Sequence, residues 1–348
     1  MWKADIPCTE ENIRWAIIVM AVHRVSTSIH YHGFFQRGTN WYDGVPEQSQ
    51  CPIPNNTTFI YNFTVPDQSG TFWYHSHHLA HKGLEPRPDN GLINGRNNYN
   101  CKWAPVSYKC IDDVGLSKFN FVPGKRYRLR VINTSALLSF HFQLMNMQWI
   151  GVVNGSTCAV DVDNPTINQI LLKNQTLFQP NQNVIGQFNT SQVIDIVVYN
   201  GVTGEHPFHL HGHTFWVLGS GPVDTKPDFS KLNIFDPIKR DTATISPEEW
   251  IVIRFEANNP GIWAFHCHIE WHVEAGLVAQ FIELPHELRK LKPPSNWEQL
   301  CIKSPNPYND LILQSEQRTI IDDMRNVDTL IKILVGIGEN WNLIGIIC

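Results

Sequence analysis

The 348-residue sequence has little helical periodicity before residue 286, so an α-helical bundle is excluded at the outset. It has no basic excess either. Its 27 Lys and Arg stand against 32 Asp and Glu, a formal net charge of −5, which removes the electrostatic footprint of a nucleic-acid binder. It lacks an apolar run long enough to span a bilayer: residues 15–22 are too few, and the terminal LIKILVGIGENWNLIGIIC is broken by Glu339, Asn340 and Asn342. The first eleven residues carry Asp5, Glu10 and Glu11 where a secretory signal needs positive charge. No small-residue cleavage site follows residues 15–22, which therefore read as a buried strand. Eight Cys over this length are too few for a disulfide scaffold, though enough for a few bridges and a functional thiol. With 42% hydrophobic and only 17% charged residues, the chain is not of disordered composition.

What is present is mostly short β-branched or alternating runs: residues 58–65 (TFIYNFTV), 127–132 (YRLRVI), 193–199 (VIDIVVY), 250–255 (WIVIRF) and 276–284 (GLVAQFIEL). Pro66-Asp67, Pro123-Gly124, Asn154-Gly155 and Pro260-Gly261 punctuate them, which predicts an all-β sandwich or barrel architecture. Polar, Pro/Asn/Gly-rich stretches at residues 82–100 and 174–183 are the expected domain junctions. Glycosylation acceptors of the form N-x-S/T stand at Asn55, Asn56, Asn62, Asn133, Asn154, Asn174 and Asn189, a pattern that fits a secreted history.

Histidine is the outlier. Random placement of 16 His would give fewer than one H-x-H pair, yet the chain has His30/His32, His75/His77, His209/His211, His211/His213 and His266/His268. In a strand, residues two apart share a face, so each pair offers two imidazoles side by side. A lone buried His is ordinarily structural; a set of such pairs points to a multi-metal site built on strands. In His266-Cys267-His268-Ile269-Glu270-Trp271-His272 the alternation sends Cys267 to the face opposite His266 and His268. A lone thiolate with His272 and a further imidazole gives a His₂Cys blue-copper set, whereas structural zinc sites usually bring paired Cys. Trp73 lies beside the second pair and could wall the site.

These segments resemble the multicopper oxidases, specifically the fungal laccase-like branch. The likeness rests on IHYHG (residues 29–33), GTFWYHSH (70–77), HPFHLHGH (206–213) and HCHIEWHVEAGL (266–277). It extends through QRGTNWYDGVPEQSQCPI (36–53), GKRYRLRVIN (124–133) and NWEQLC (296–301). The resemblance implies cupredoxin-like Greek-key β-sandwich domains and four coppers per complete site. By motif position His206, Cys267 and His272 would hold type 1 copper, with Leu277 in its non-coordinating axial place. His30 and His209 would hold type 2 copper; His32, His75 and His268 one type 3 copper; and His77, His211 and His266 the other. Asp43 and Glu270 match acids that relay protons during oxygen reduction. Cys51 and Cys301 match a family disulfide. By spacing alone, Cys101 and Cys110 could close a local bridge, and His23, His78, His81, His141, His213 and His286 default to packing or surface roles.

The chain departs from the family between its ligand segments. After His77 it jumps to a middle-domain-like stretch, and too few residues follow to complete that domain, since such a sandwich takes about 100 residues. The expected organisation is a truncated first cupredoxin domain (1–81), a remnant of the middle one (89–183), a C-terminal domain bearing type 1 copper (184–302) and an unmatched tail (303–348). Either the chain is mis-assembled or it is a reduced form. Three functions follow. The first is a laccase-like oxidase coupling one-electron oxidation of phenols to reduction of O₂ to water. The second is a ferroxidase acting on Fe²⁺, with which Arg240-Asp241-Thr242 is compatible. The third is an inactive copper-binding product. The expected partners are O₂ and a small reductant, with no nucleic acid or membrane span. The expected protein is monomeric and extracellular by resemblance, although no signal peptide is visible.

Overall fold

The computed structural model describes residues 13–20, 26–54, 56–65, 68, 70, 72–78, 164–172, 178, 182–274, 276–303, 331–337 and 340–346, with scattered positions between 94 and 119. Residues 127–132 and the turns at 66–67, 123–124 and 154–155 lie outside them, as do His23, His81 and His141. The chain divides into a large unit, residues 1–81 with 133–348, and a small one, residues 82–132. The small unit carries the bridge Cys101–Cys110.

Within the large unit, β1 (Ile13–Met20) and β3 (Thr58–Val65) pair antiparallel, so the described part of the run at 15–22, residues 15–20, is strand. In β3 every second residue is buried, placing Phe59, Tyr61 and Phe63 in a core and Thr58, Ile60 and Asn62 outside. The short strands β2 (Ile29–His32) and β4 (Trp73–Ser76) form a second antiparallel pair in which His30 lies opposite His75.

The remaining strands make two sheets. One orders β10 (Thr242–Ile245), β7 (His206–Leu210), β12 (Gly261–Cys267), β13 (Val278–Glu283) and β5 (Val184–Phe188). The other places β6 (Gln192–Asn200), β11 (Glu249–Ala257), β8 (Phe215–Pro222) and β9 (Ile238–Arg240) side by side. The tail of no expected role extends that second sheet: β14 (Ile331–Ile337) pairs with β6, and β15 (Asn340–Ile346) with β14.

The core between the sheets follows from period-two patterning. Ile194, Ile196 and Val198 of β6 and Ile251, Ile253 and Phe255 of β11 meet Phe265 and Cys267 of β12 and Ala279 and Phe281 of β13. The other face of β12 and β13 presents Ile262 and Ile282 to Tyr31, Trp41, Phe59 and Tyr61. One strand, β12, therefore serves two cores, and its odd and even positions belong to different neighbourhoods.

The helix α1 (Thr166–Leu171) lies in the stretch assigned from sequence to a middle-domain remnant, but it packs on the 26–65 region. Thr166 and Ile167 donate backbone hydrogen bonds to the carbonyls of Glu47 and Gln48, and Ile167 and Ile170 are fully buried with Tyr61 and Trp297. The helix α4 (Ser295–Lys303) closes the same core. Its Trp297 indole donates to the Ser49 carbonyl, and its Cys301 forms a disulfide with Cys51 across 250 residues of sequence.

Candidate metal centre

Ten of the sixteen histidines converge in two groups, and the strand alternation that sorts the core also sorts them. On β12, Cys267 points into the sandwich core with Phe265, whereas His266 points to the 26–78 region with Ile262. Cys267 joins His206, at the start of β7, and His272, on the short helix α2 (Glu270–Glu274). The Cys267 Sγ lies 3.1 Å from His272 Nδ1, and the His206 and His272 rings are 5.0 Å apart. Both nitrogens of His206 are buried without a protein hydrogen-bond partner. Burial pushes the Cys267 thiol far up and holds His206 at about 4 and His272 at about 3, so without a cation all three are neutral. Leu277 is buried in the same apolar cluster as Cys267 and accepts a backbone hydrogen bond from it.

The second group holds eight imidazoles. His77, His211 and His266 form one possible ligand triad; His30 with His209 and His211, and His30 with His32 and His75, form others. His268 joins them through a nitrogen 3.1 Å from His32 Nδ1. Five of them are oriented from outside. Nδ1–H groups donate from His30 to the Asp43 carbonyl (2.7 Å), from His75 to the Ser76 carbonyl (2.8 Å) and from His209 to the Asp241 carbonyl (2.7 Å). His266 donates likewise to the Cys267 carbonyl (2.8 Å), and His211 to the Asp43 carboxylate (2.9 Å). Each such bond leaves Nε2 lone pairs facing inward. The Nε2 atoms of His30, His75 and His209 have no protein partner, and those of His211 and His266 approach to 2.9 Å. Lone pairs crowded this closely in a buried site suit a shared cation. Burial, reinforced by the neighbouring rings, lowers His32, His75, His77, His209, His211 and His266 well below their ordinary value and His268 to about 4.

Asp43 is fully buried between His30 and His211, and desolvation raises its carboxyl above the usual range against the pull of His30. The following residue, Gly44, has φ +84°, and a Cβ there would overlap the Ile29 carbonyl and crowd the His30 amide. Gly44→Ala is therefore expected to destabilise the protein by about 3 kcal/mol and to loosen the Asp43–His30 contact, read as a lowered denaturant midpoint. An unchanged midpoint would refute this packing.

Glu270 stands half-buried at the first position of α2, outside the five possible ligand groups. Trp73 does wall the site, with ring centroids 4.5 Å from His75 and 5.7 Å from His268. His213 is a packing histidine, buried 2.9 Å from Glu283. One residue was not singled out as a site candidate from sequence: Asp241, whose carboxylate reaches His32 at 3.3 Å and which completes a group with His32 and His209. No H-x-H signal marks it; only the pairing of β10 with β7 brings it there. Among the described residues no helix is long and apolar enough to cross a membrane.

Known proteins give the same reading. Family models described as multicopper oxidase match residues 9–86, 67–155 and 156–287. The iron transport multicopper oxidase fio1 of Schizosaccharomyces pombe is 26% identical, the match covering 80% of this chain and 70% of that one. A laccase of Phlebia radiata is likewise 26% identical, over 79% and 82%. The fio1 alignment runs over 438 positions, more than this chain contains, so the relative carries internal segments without counterpart here. Among solved structures, the laccase from Botrytis aclada has a TM-score of 0.67 at 22% identity, covering 87% of this chain and 86% of that one, a likeness of fold. The fold is all-β and cupredoxin-like, the cofactor is copper, and the chain belongs to the multicopper oxidase family.

Proposed function

We propose that this chain is a laccase-type oxidase of phenols or similar small reductants, reducing O₂ to water, and that its two histidine groups divide that labour. His206, Cys267 and His272 would hold type 1 copper beside Leu277. His30 and His209 would hold type 2 copper, while His32, His75 and His268, and His77, His211 and His266, would hold the type 3 pair, four coppers in all. Bound copper supplies one-electron redox chemistry and dioxygen binding. The observation that carries the reading is covalent: Cys267 of one group is bonded through the chain to His266 and His268 of the other.

The chain's own groups do the rest. Tautomer-fixing carbonyls keep the imidazoles neutral and aimed. Leu277 offers no donor atom, which favours the reduced metal and raises its potential. Asp43, held on His30 and His211, is placed to keep a proton in a dry site, and Glu270 on α2 is the second carboxyl proposed to deliver protons. We assign residues 1–81 to a shortened first sandwich, 89–183 to a middle remnant and 184–302 to the C-terminal sandwich. The acceptors at Asn56, Asn62 and Asn189 support a secreted, glycosylated protein.

The test is O₂ uptake by the copper-loaded chain with a phenol and with Fe²⁺. Faster uptake with the phenol is expected. A preference for Fe²⁺ would move the protein to the ferroxidase branch; the chain is as identical to the iron transport oxidase fio1 as to the Phlebia radiata laccase, 26% in each case. A purified chain that takes up copper yet shows neither the blue band nor O₂ uptake would be the inactive product.

A further inference from the structure

Eight histidines from distant segments must meet within hydrogen-bond distances of each other, and the apolar packing between the segments is joined by buried polar ties, the Asp43–His211 contact among them. Two fully buried amides are further ties of this kind. The Asn259 Nδ2 donates to the Phe35 carbonyl at 2.6 Å and to the Gly212 carbonyl at 3.0 Å. Phe35 lies three residues beyond His32, and Gly212 directly follows His211. The Asn259 backbone is itself pinned, its N–H by Glu283 (3.1 Å) and its carbonyl by the Trp263 indole (2.8 Å). Gly212, at φ +69°, packs so closely on Trp263 that no Cβ would fit. Asn40 makes the second tie. Its Nδ2 donates to the Ile262 carbonyl at 2.9 Å and its Oδ1 accepts from the Ile262 N–H at 3.0 Å, as a neighbouring strand would. Asn40 is three residues before Asp43, and Ile262 is four before His266.

We infer that Asn259 and Asn40 are positioning residues that set the spacing of the eight-histidine cluster. Each fastens a first-sandwich histidine segment to a C-terminal one through a rigid, water-free amide. The inference rests on the copper reading above. Each amide makes a bond that crosses between the two segments, and neither bonds to His206, Cys267 or His272, which all belong to the C-terminal sandwich. Loss of the amides should therefore weaken one copper group and spare the other.

The experiment is a chelator titration of the copper-loaded full chain, following the blue thiolate–Cu(II) band and total copper separately. Asn259→Leu and Asn40→Leu keep the side-chain shape and remove the hydrogen bonds. Asn200→Leu is the control, since Asn200 is an equally buried amide bonded to Gly204, Ile245 and Ser246 within the C-terminal sandwich. The seam variants are expected to release the cluster copper at roughly 10–100-fold lower chelator, with the blue band stripped where the parent's is. The control should show no such separation. Unaltered cluster copper in both seam variants would overturn the inference. So would parallel loss of blue band and cluster copper, or a control that behaves as they do. Absence of the blue band from the parent chain would instead refute the copper reading itself.

Discussion

Replacing Cys267 by serine is expected to abolish the blue band and reduce oxidase turnover to background while leaving the cluster copper bound. The thiol is fully buried, and burial holds it protonated unless a cation draws the proton off. A serine hydroxyl, a far weaker acid than a thiol, would not ionise at that cost, and an oxygen donor there gives no thiolate charge-transfer band. The substitution removes little volume from the core of Phe265, Leu277 and Phe281, so folding should survive. Copper analysis, the visible spectrum and O₂ uptake on one preparation decide it. A serine variant that stays blue or keeps turning over would exclude Cys267 from the electron-accepting group.

The copper-free chain is expected to lose its site in mild acid. His206, His268 and His272 have folded values near 4, 4 and 3, against about 6.5 when unfolded. Six further cluster histidines are lowered too. A depressed folded pKa favours the neutral form in the folded state, so the associated stability is complete above pH 6.5. It is lost as the pH falls toward 4, because the unfolded chain takes up protons first. At pH 5 His206, His268 and His272 each cost about 2 kcal/mol. Several together match the 5–15 kcal/mol that holds a domain folded. Urea midpoints of the copper-free chain at pH 7.5 and pH 5 measure it, and a flat profile would refute it. Copper-loaded protein should resist to lower pH, since a bound cation holds the imidazoles neutral.

Much of the site was legible because strand periodicity is local. His266 and Cys267 are adjacent in sequence, and opposite faces follow from the pleat alone, as do the strands at 58–65 and 250–255. The groups that came from tertiary pairing carried no such mark. Asp241 reaches His32 only because β10 lies beside β7, and nothing in RDT announces that neighbour. The helix at 166–171, TINQIL, carries no mark of its partner, and its place against Glu47 and Gln48 is settled by which core accepts Ile167 and Ile170. The pairing of residues 331–337 with β6 was hidden for the same reason, because a strand does not name its partner.

The two copper groups also differ in how far apart their ligands lie along the chain, and that difference has a kinetic meaning. His206, Cys267 and His272 come from neighbouring strands and a following helix of one sandwich, whereas His32 meets His268 across 236 residues. Closing so long a loop brings no reward until both ends are ordered, so contacts of this span form late. A folding chain thus completes its thiolate pocket first and its histidine cluster last, and the supply of metal meets the two sites in that order.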